Sequence, residues 1–274
     1  MKVSVLNLVP LRHGESFKDA MDAMVRLAKR VEDLGYTRYW IAEHHNMRSI
    51  ASSATQLLIQ HTLANTKKIR VGSGGVMLPN HSPYLIAEQY GTLETLYPNR
   101  VDLGLGRAPG TDVPTAMALR RTKDLKTDFE RDLAELSGYF KGSNYVQAYP
   151  AHGLYLPFYI LGSSTDSAYL AAKLGLPYSF AAHFAPTMME NAIAIYNRYF
   201  QPSAILDKPY VILGVNAILA DTDEEAKRLS TTMIQSFLNI VTSNQKGLMP
   251  PLQSEEAVWR EFIATNKVPH FGPI

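Results

Sequence analysis

Glu43, His44 and His45 stand together after a short apolar run, Tyr39 to Ala42, and offer a carboxylate and two imidazoles at one strand end. Three uses suit such groups: binding a metal ion, moving a proton near neutral pH, or capping a strand with polar side chains. Metal has the least support, because neighbouring strand residues point to opposite sides and no H-E-x-x-H spacing occurs. Taken alone, these residues leave a functional and a structural role equally open. Gly72, Ser73, Gly74 and Gly75 interrupt another apolar run. They expose bare main chain to a flat ligand, or serve close packing or a bulge. Arg107 follows Leu103-Gly104-Leu105-Gly106 and carries a planar cation suited to phosphate, or is an ordinary surface arginine. Ser163 and Ser164 join a strand pattern to a helix pattern, where hydroxyls and free N–H groups would face an anion or simply cap the helix. His183 falls at a further strand end, as a rim residue or a packing residue.

These groups are useful only if strand ends gather them. Residues 3–9, 39–42, 69–77, 101–105, 158–161, 179–182 and 210–219 read as strands, rich in β-branched, leucine and aromatic residues. Helical spacing fills the intervals near 17–34, 54–63, 83–97, 127–140, 167–174, 186–200 and 222–241. Ser16 with Asp19, and Asp221 with Glu224, have the spacing of helix caps. Seven strands alternating with helices imply a parallel sheet with right-handed crossovers. An open nucleotide-binding sheet would carry a G-x-G-x-x-G turn after its first strand, but Val9 is followed by Pro-Leu-Arg-His-Gly. Periodicity alone does not choose, but the open nucleotide-binding sheet is disfavoured against a TIM-type (β/α) barrel, which would carry its chemistry at the C-terminal rim. Residues 106–123 and 141–157 are its long rim loops. Residues 255–274 show at most one short helix and no apolar strand, so the last strand of a full barrel is expected to be missing or truncated.

With 274 residues, 46% of them hydrophobic, the chain can bury one large core, and residues 1–274 read as a single domain. Lys and Arg number 27 against 25 Asp and Glu, so no strong field recruits nucleic acid or an anionic membrane. The absence of cysteine excludes disulfides, thiolate nucleophiles and iron–sulfur clusters, and leaves redox chemistry to a bound cofactor. The apolar start, Met1 to Pro10, is too short to span a membrane and lacks a cleavage pattern, so a cytoplasmic protein is expected.

The blocks Ala42 to His45, Val71 to Pro79, Arg100 to Arg107 and Leu161 to Ser164, in this order and spacing, resemble the luciferase-like monooxygenases over residues 2–251. The resemblance is to stand-alone bacterial members of that flavin-dependent oxidoreductase class. It implies an eight-stranded barrel that takes reduced FMN, supplied by a separate NAD(P)H:flavin reductase, and uses dioxygen on a small organic substrate. It also implies a homodimer, built through helices flanking the early strands. By resemblance His44 is the flavin-site histidine, which would relay a proton with its basicity tuned by Glu43 where the two touch; a non-proline cis peptide falls near Gly74-Gly75, and Arg107 with Ser163 and Ser164 holds the phosphate. Arg120 or Arg121 would assist. The light-emitting enzyme has a reactive cysteine where this chain has Gly106, so bioluminescence is not implied. Two rivals remain: an F420-dependent hydride-transfer enzyme on the same barrel, and a non-catalytic flavin-binding protein.

Overall fold

The computed structural model describes residues 1–120, 128–242, 244 and 246–266. Its strands are β1 (Ser4–Asn7), β2 (Arg38–Ile41), β3 (Arg70–Met77), β4 (Val101–Gly106), β5 (Phe158–Gly162), β6 (Tyr178–Phe180) and β7 (Val211–Leu213). All pair in parallel in chain order, from β1 to β7. Parallel neighbours need crossovers, and the helices supply them: α1 (Phe17–Asp33), α2 (Thr55–Ala64), α3 (Pro83–Leu96), α4 (Val113–Arg120), α5 (Phe129–Lys141), α6 (Thr165–Leu174) and α7 (Met189–Tyr199). Two more, α8 (Asp223–Val241) and α9 (Glu255–Asn266), come after the last strand in the chain. This is the TIM-like α/β order that the alternation predicts. Among the described residues no eighth strand pairs with β1 or β7, and α9 is the short helix expected near the end.

The chain divides into two compact units. The first, Met1–Val9, Met21–Asn46 and Ser52–Val215, holds the whole sheet. That sheet is curled. Arg38 on β2 donates to the Tyr159 hydroxyl on β5 at 3.1 Å and to the Tyr210 hydroxyl, beside β7, at 3.3 Å. In a flat sheet β2 and β7 would stand five spacings, about 24 Å, apart. One arginine and one tyrosine cannot bridge that gap, so the strands must wrap.

Alternate strand residues face inward, and the lower interior is polar. Asp102 is 0% exposed. Its Oδ1 accepts from Arg70 Nε at 2.8 Å, and its Oδ2 from Arg38 Nε at 3.1 Å and Trp40 Nε1 at 3.0 Å. Trp40 meets Tyr159 edge to face, with centroids 5.0 Å apart. A carboxylate shared by two guanidinium groups and an indole satisfies the polar groups that burial would otherwise leave costly.

The second unit comprises Pro10–Ala20, Met47–Ala51 and Asn216–Ile274. Within it Ser16 and Asp19 cap reciprocally, Ser16 N donating to Asp19 Oδ2 at 2.9 Å and Asp19 N to Ser16 Oγ at 3.2 Å. The start of α8 differs from the sequence expectation by one residue. Thr222, extended at φ −132° and ψ 155°, is the cap in place of Asp221, and its Oγ1 accepts from Glu225 N at 3.2 Å. Thr231 on α8 anchors the segment before α9 by accepting from Leu252 N at 2.8 Å. Two further differences lie in the first unit: residues 106–123, expected as a loop, contain α4, and β7 is shorter than 210–219. Among the described residues no helix is long and apolar enough to cross a membrane.

Candidate active site

The rim is built from the segments that succeed β2, β3, β4 and β5. On β2, Arg38 and Trp40 reach the interior, whereas Tyr39 points outward and donates its hydroxyl to Met24 O on α1 at 3.1 Å. Carried past Ile41, that alternation puts Ala42 and His44 on the inner side and Glu43 and His45 on the outer side. Glu43 is 1% exposed, and its Oε1 accepts from His45 Nε2 at 2.8 Å and His81 Nε2 at 2.7 Å. Its Oε2 accepts from Met77 N at 3.1 Å. Burial alone would push the Glu43 carboxyl up, but those imidazoles and the Met77 amide outweigh it and hold its pKa below the usual carboxylate value.

Glu43 therefore spends its hydrogen bonds on His45, His81 and Met77 and reaches His44 through its field only. His44 Nδ1 is buried and has no hydrogen-bond partner among the described residues. Its pKa is lowered, first by burial and then by the nearby His45, against the opposing pull of Glu43. At neutral pH this leaves an uncharged imidazole with an unused ring nitrogen.

The Gly74–Gly75 peptide on β3 is cis, where the resemblance implied such a bond. Ser73 pairs with Leu103 and Val76 with Leu105, so β3 carries one extra residue there, a bulge. A Cβ on Gly74 would stand 2.7 Å from Leu6 Cδ1, and one on Gly75 would stand 2.8 Å from the Gly104 carbonyl oxygen. Packing thus demands glycine at 75, against main chain, whereas at 74 the nearest atom is the movable end of Leu6; the wall the two form is main chain. On β4 a Cβ at Gly106 would come 2.9 Å from Met77 Sδ, so the thioether fills the place that a side chain there would take.

Gly106 pairs with Leu161, which brings Arg107 beside the turn after β5. Arg107 is half exposed and lies 3.4 Å from Asp166 in the first turn of α6. Ser164 is the N-cap of that helix in extended conformation, yet its hydroxyl makes no capping bond. Ser163 precedes it, half-buried. An arginine, two serines and the free N–H groups of a helix start form a donor set that suits phosphate. A groove of about 740 Å³ runs beside Arg107 along α5 and α6, lined by Phe129, Asp166, Tyr169 and Lys173 among others, and includes neither His44 nor the glycine pair. Arg121 lies outside the described residues. His183 sits over Gly214, where a Cβ would come 2.7 Å from its Nδ1.

Two groups escaped sequence reasoning. His81 follows a 3-10 turn (Leu78–Asn80) after β3, and only the fold brings it to Glu43. Asn46 and Asn80 tie the segment after Arg107 to the rim, Asn46 Nδ2 donating to Asp112 at 2.9 Å and Asn80 Nδ2 to Pro109 O at 2.7 Å.

A TIM-like α/β fold whose ionisable and glycine-rich segments meet at the strands' C-terminal ends defines an enzyme of the rim-site type. The luciferase-like monooxygenase family model matches residues 1–269, and the chain belongs to that family. It is 52% identical over 268 residues to the uncharacterized protein YvbT of Bacillus subtilis (strain 168), covering 95% of this chain and 79% of that one. It is 49% identical over 260 residues to a luciferase-like monooxygenase of Escherichia coli (strain K12), covering 93% and 78%. The crystal structure of apo-MsnO8 superposes with a TM-score of 0.86 at 34% identity, over 99% of this chain and 79% of that one. These relationships make the protein an oxidoreductase of the monooxygenase type.

Proposed function

We propose that the chain is a flavin-dependent monooxygenase that uses reduced FMN and dioxygen on a small organic substrate. One observation carries the reading: a buried imidazole whose Nδ1 has no partner among the described residues stands on the same rim as a phosphate-suited donor set, with bare main chain between them. From β3 to β5 is two strand spacings, about 10 Å. That arrangement suits a ligand with a planar ring at one end and a phosphate at the other.

Arg107, Ser163, Ser164 and the first N–H groups of α6 would hold the phosphate. The main chain of Gly74 and Gly75 would support the ring. Reduced flavin, when bound, supplies the electrons that activate dioxygen. His44 would hold or move a proton at Nδ1, and burial keeps it neutral and able to accept one near pH 7. Glu43, fixed as an anion, raises His44 basicity through space. A separate flavin reductase would deliver the cosubstrate. Homodimerisation through the helices flanking the early strands belongs to the same reading, and Leu57 on α2 and Leu85 and Leu96 on α3 are exposed apolar side chains there.

The test is anaerobic mixing with reduced FMN, followed by oxygen. Binding, with a reoxidation rate that differs from free flavin, is the expected result. Reoxidation at the free-flavin rate without binding refutes the reading, and binding of reduced F420 in its place moves the chain to hydride transfer. His44→Ala should retain FMN binding and lower coupled turnover by about 100-fold. Unchanged peroxide release and product yield in that variant would remove His44 from the chemistry.

A further inference from the structure

We propose that His45, Glu43 and His81 form a clamp that positions the flavin seat through the amide of Met77; the seat rests on the flavin function proposed above, the clamp on geometry alone. Pairing between β2 and β3 ends at Ile41 with Ser73. From Gly74 onward β3 has no ladder partner on β2 and leans on β4 alone, through Val76 with Leu105 and Met77 with Gly106. The Glu43 side chain takes over where the ladder stops, accepting the Met77 N–H at 3.1 Å.

Glu43 is in turn held from both sides. His45, two residues on, and His81, after the 3-10 turn, both meet Oε1. Separations of 2.7 and 2.8 Å are hydrogen-bond lengths. Ligands sharing one zinc ion at 2.0–2.1 Å would stand about 3.3 Å apart. Each imidazole therefore donates from Nε2 to the carboxylate. Three N–H donors converge on two oxygens of one buried anion, so loss of any donor moves the carboxylate, and the carboxylate moves Met77.

Met77 transmits the displacement in two directions. Its main chain continues from Gly75, and its thioether covers the place of a side chain at Gly106 and at Gly110, where a Cβ would come 3.1 Å from Met77 Cε. Glu43, His45 and His81 are thus positioning residues, and none of them needs to touch the ligand.

Three variants test this: Glu43→Gln, His81→Leu and His81→Gln. Glutamine at 43 presents an amide N–H to a donor, and leucine at 81 removes a donor, whereas glutamine at 81 can donate to the same oxygen. Circular dichroism checks folding; His81 is the more exposed partner, so its variants serve if Glu43→Gln does not fold. Hydrogen–deuterium exchange at the Met77 amide, the affinity for FMN and the visible spectrum of bound flavin are the readouts. Glu43→Gln and His81→Leu should speed exchange, weaken FMN binding about tenfold, as for one hydrogen bond to a charged group, and shift the spectrum. His81→Gln should return all three towards wild type. Faster exchange with unchanged affinity and spectrum overturns the positioning role, and so does a His81→Gln variant as damaged as His81→Leu. Wild-type protein that binds no flavin refutes the functional reading instead, and exchange at Met77 then judges the clamp by itself.

Discussion

Replacing Asp102 by asparagine removes one charge from the polar interior below the rim and should be among the most damaging single-atom changes in the sheet. Asparagine keeps one acceptor and turns the other into a donor. Oδ1 serves Arg70, and Oδ2 serves Arg38 and Trp40. Either orientation of the amide therefore sets N–H against N–H. The side chain of Arg70 is 26% exposed and can find water, but that of Arg38 is 10% exposed and cannot. The cost is mainly that of a buried guanidinium stripped of its counter-charge, about 3–5 kcal/mol. Against a total stability of about 5–15 kcal/mol this is a large share, and it corresponds to a fall in Tm of roughly 6–20 °C at about 2–4 °C per kcal/mol. Urea denaturation of wild type, Asp102→Asn, Arg38→Met and the double variant gives both the loss and the coupling. The coupling should exceed about 1 kcal/mol, because Arg38→Met removes the group that Asp102→Asn strands. A loss below about 1 kcal/mol, or additive single changes, would refute the account of the interior as a charge-compensated network.

Acidification should destabilise the protein in stages. The His44 pKa is lowered from 6.5 and that of Glu43 from 4.5, so the unfolded chain binds protons first at both sites. The stabilising contribution is complete above the unfolded values and is lost as pH falls through the folded ones; a urea midpoint that rises as pH falls from 7 to 5 would contradict the His44 shift, and one that rises as pH falls below 4.5 would contradict the Glu43 shift. Alanine at Gly104 would overlap the Ser73 carbonyl oxygen and should cost about 1–3 kcal/mol in the same assay. Alanine at Gly106 meets the flexible end of Met77 and should cost less than about 1 kcal/mol; equal losses at 104 and 106 would show that backbone and side-chain neighbours are not distinguished. Thr222→Ala should lower stability by about 1 kcal/mol through the lost cap of α8, read from the thermal midpoint, with Thr222→Ser close to wild type.

Much of the fold was legible, because a parallel strand buried on both faces writes a short apolar run and its crossover helix writes a 3.6-residue period. Val101–Gly106 and Phe158–Gly162 match those runs within a residue. Val211–Leu213 falls short of the apolar run 210–219, since apolarity marks a tendency and pairing ends where the neighbour β6 ends, at Phe180 with Leu213. Helix α4 was hidden by Pro109, Gly110 and Pro114, of which only Pro114 lies in the helix, in its first turn, where proline is tolerated. At the rim, the motif located His44 and Glu43 but not the division between them. Strand alternation sends adjacent residues to opposite sides, so the acid next to His44 in sequence serves His45 and His81 in space. The inward charges Arg38 and Asp102 left a trace that could have been used: ionisable residues inside otherwise apolar strands need partners, and the partners must be each other.

The glycine-lined stretch of the rim has a consequence for how such a protein can change. Where the wall is peptide backbone pressed against Trp40 and the main chain of Gly104, with only the end of Leu6 free to yield, a substitution larger than alanine adds atoms to filled space, so point mutation offers little graded adjustment there. Selection for a new substrate must therefore act on side chains around the wall, such as Met77 or those just beyond β2 and β4, while the wall itself stays fixed. Mutational scanning would see two kinds of position side by side: a rigid strip that tolerates little, and a border on which specificity can drift.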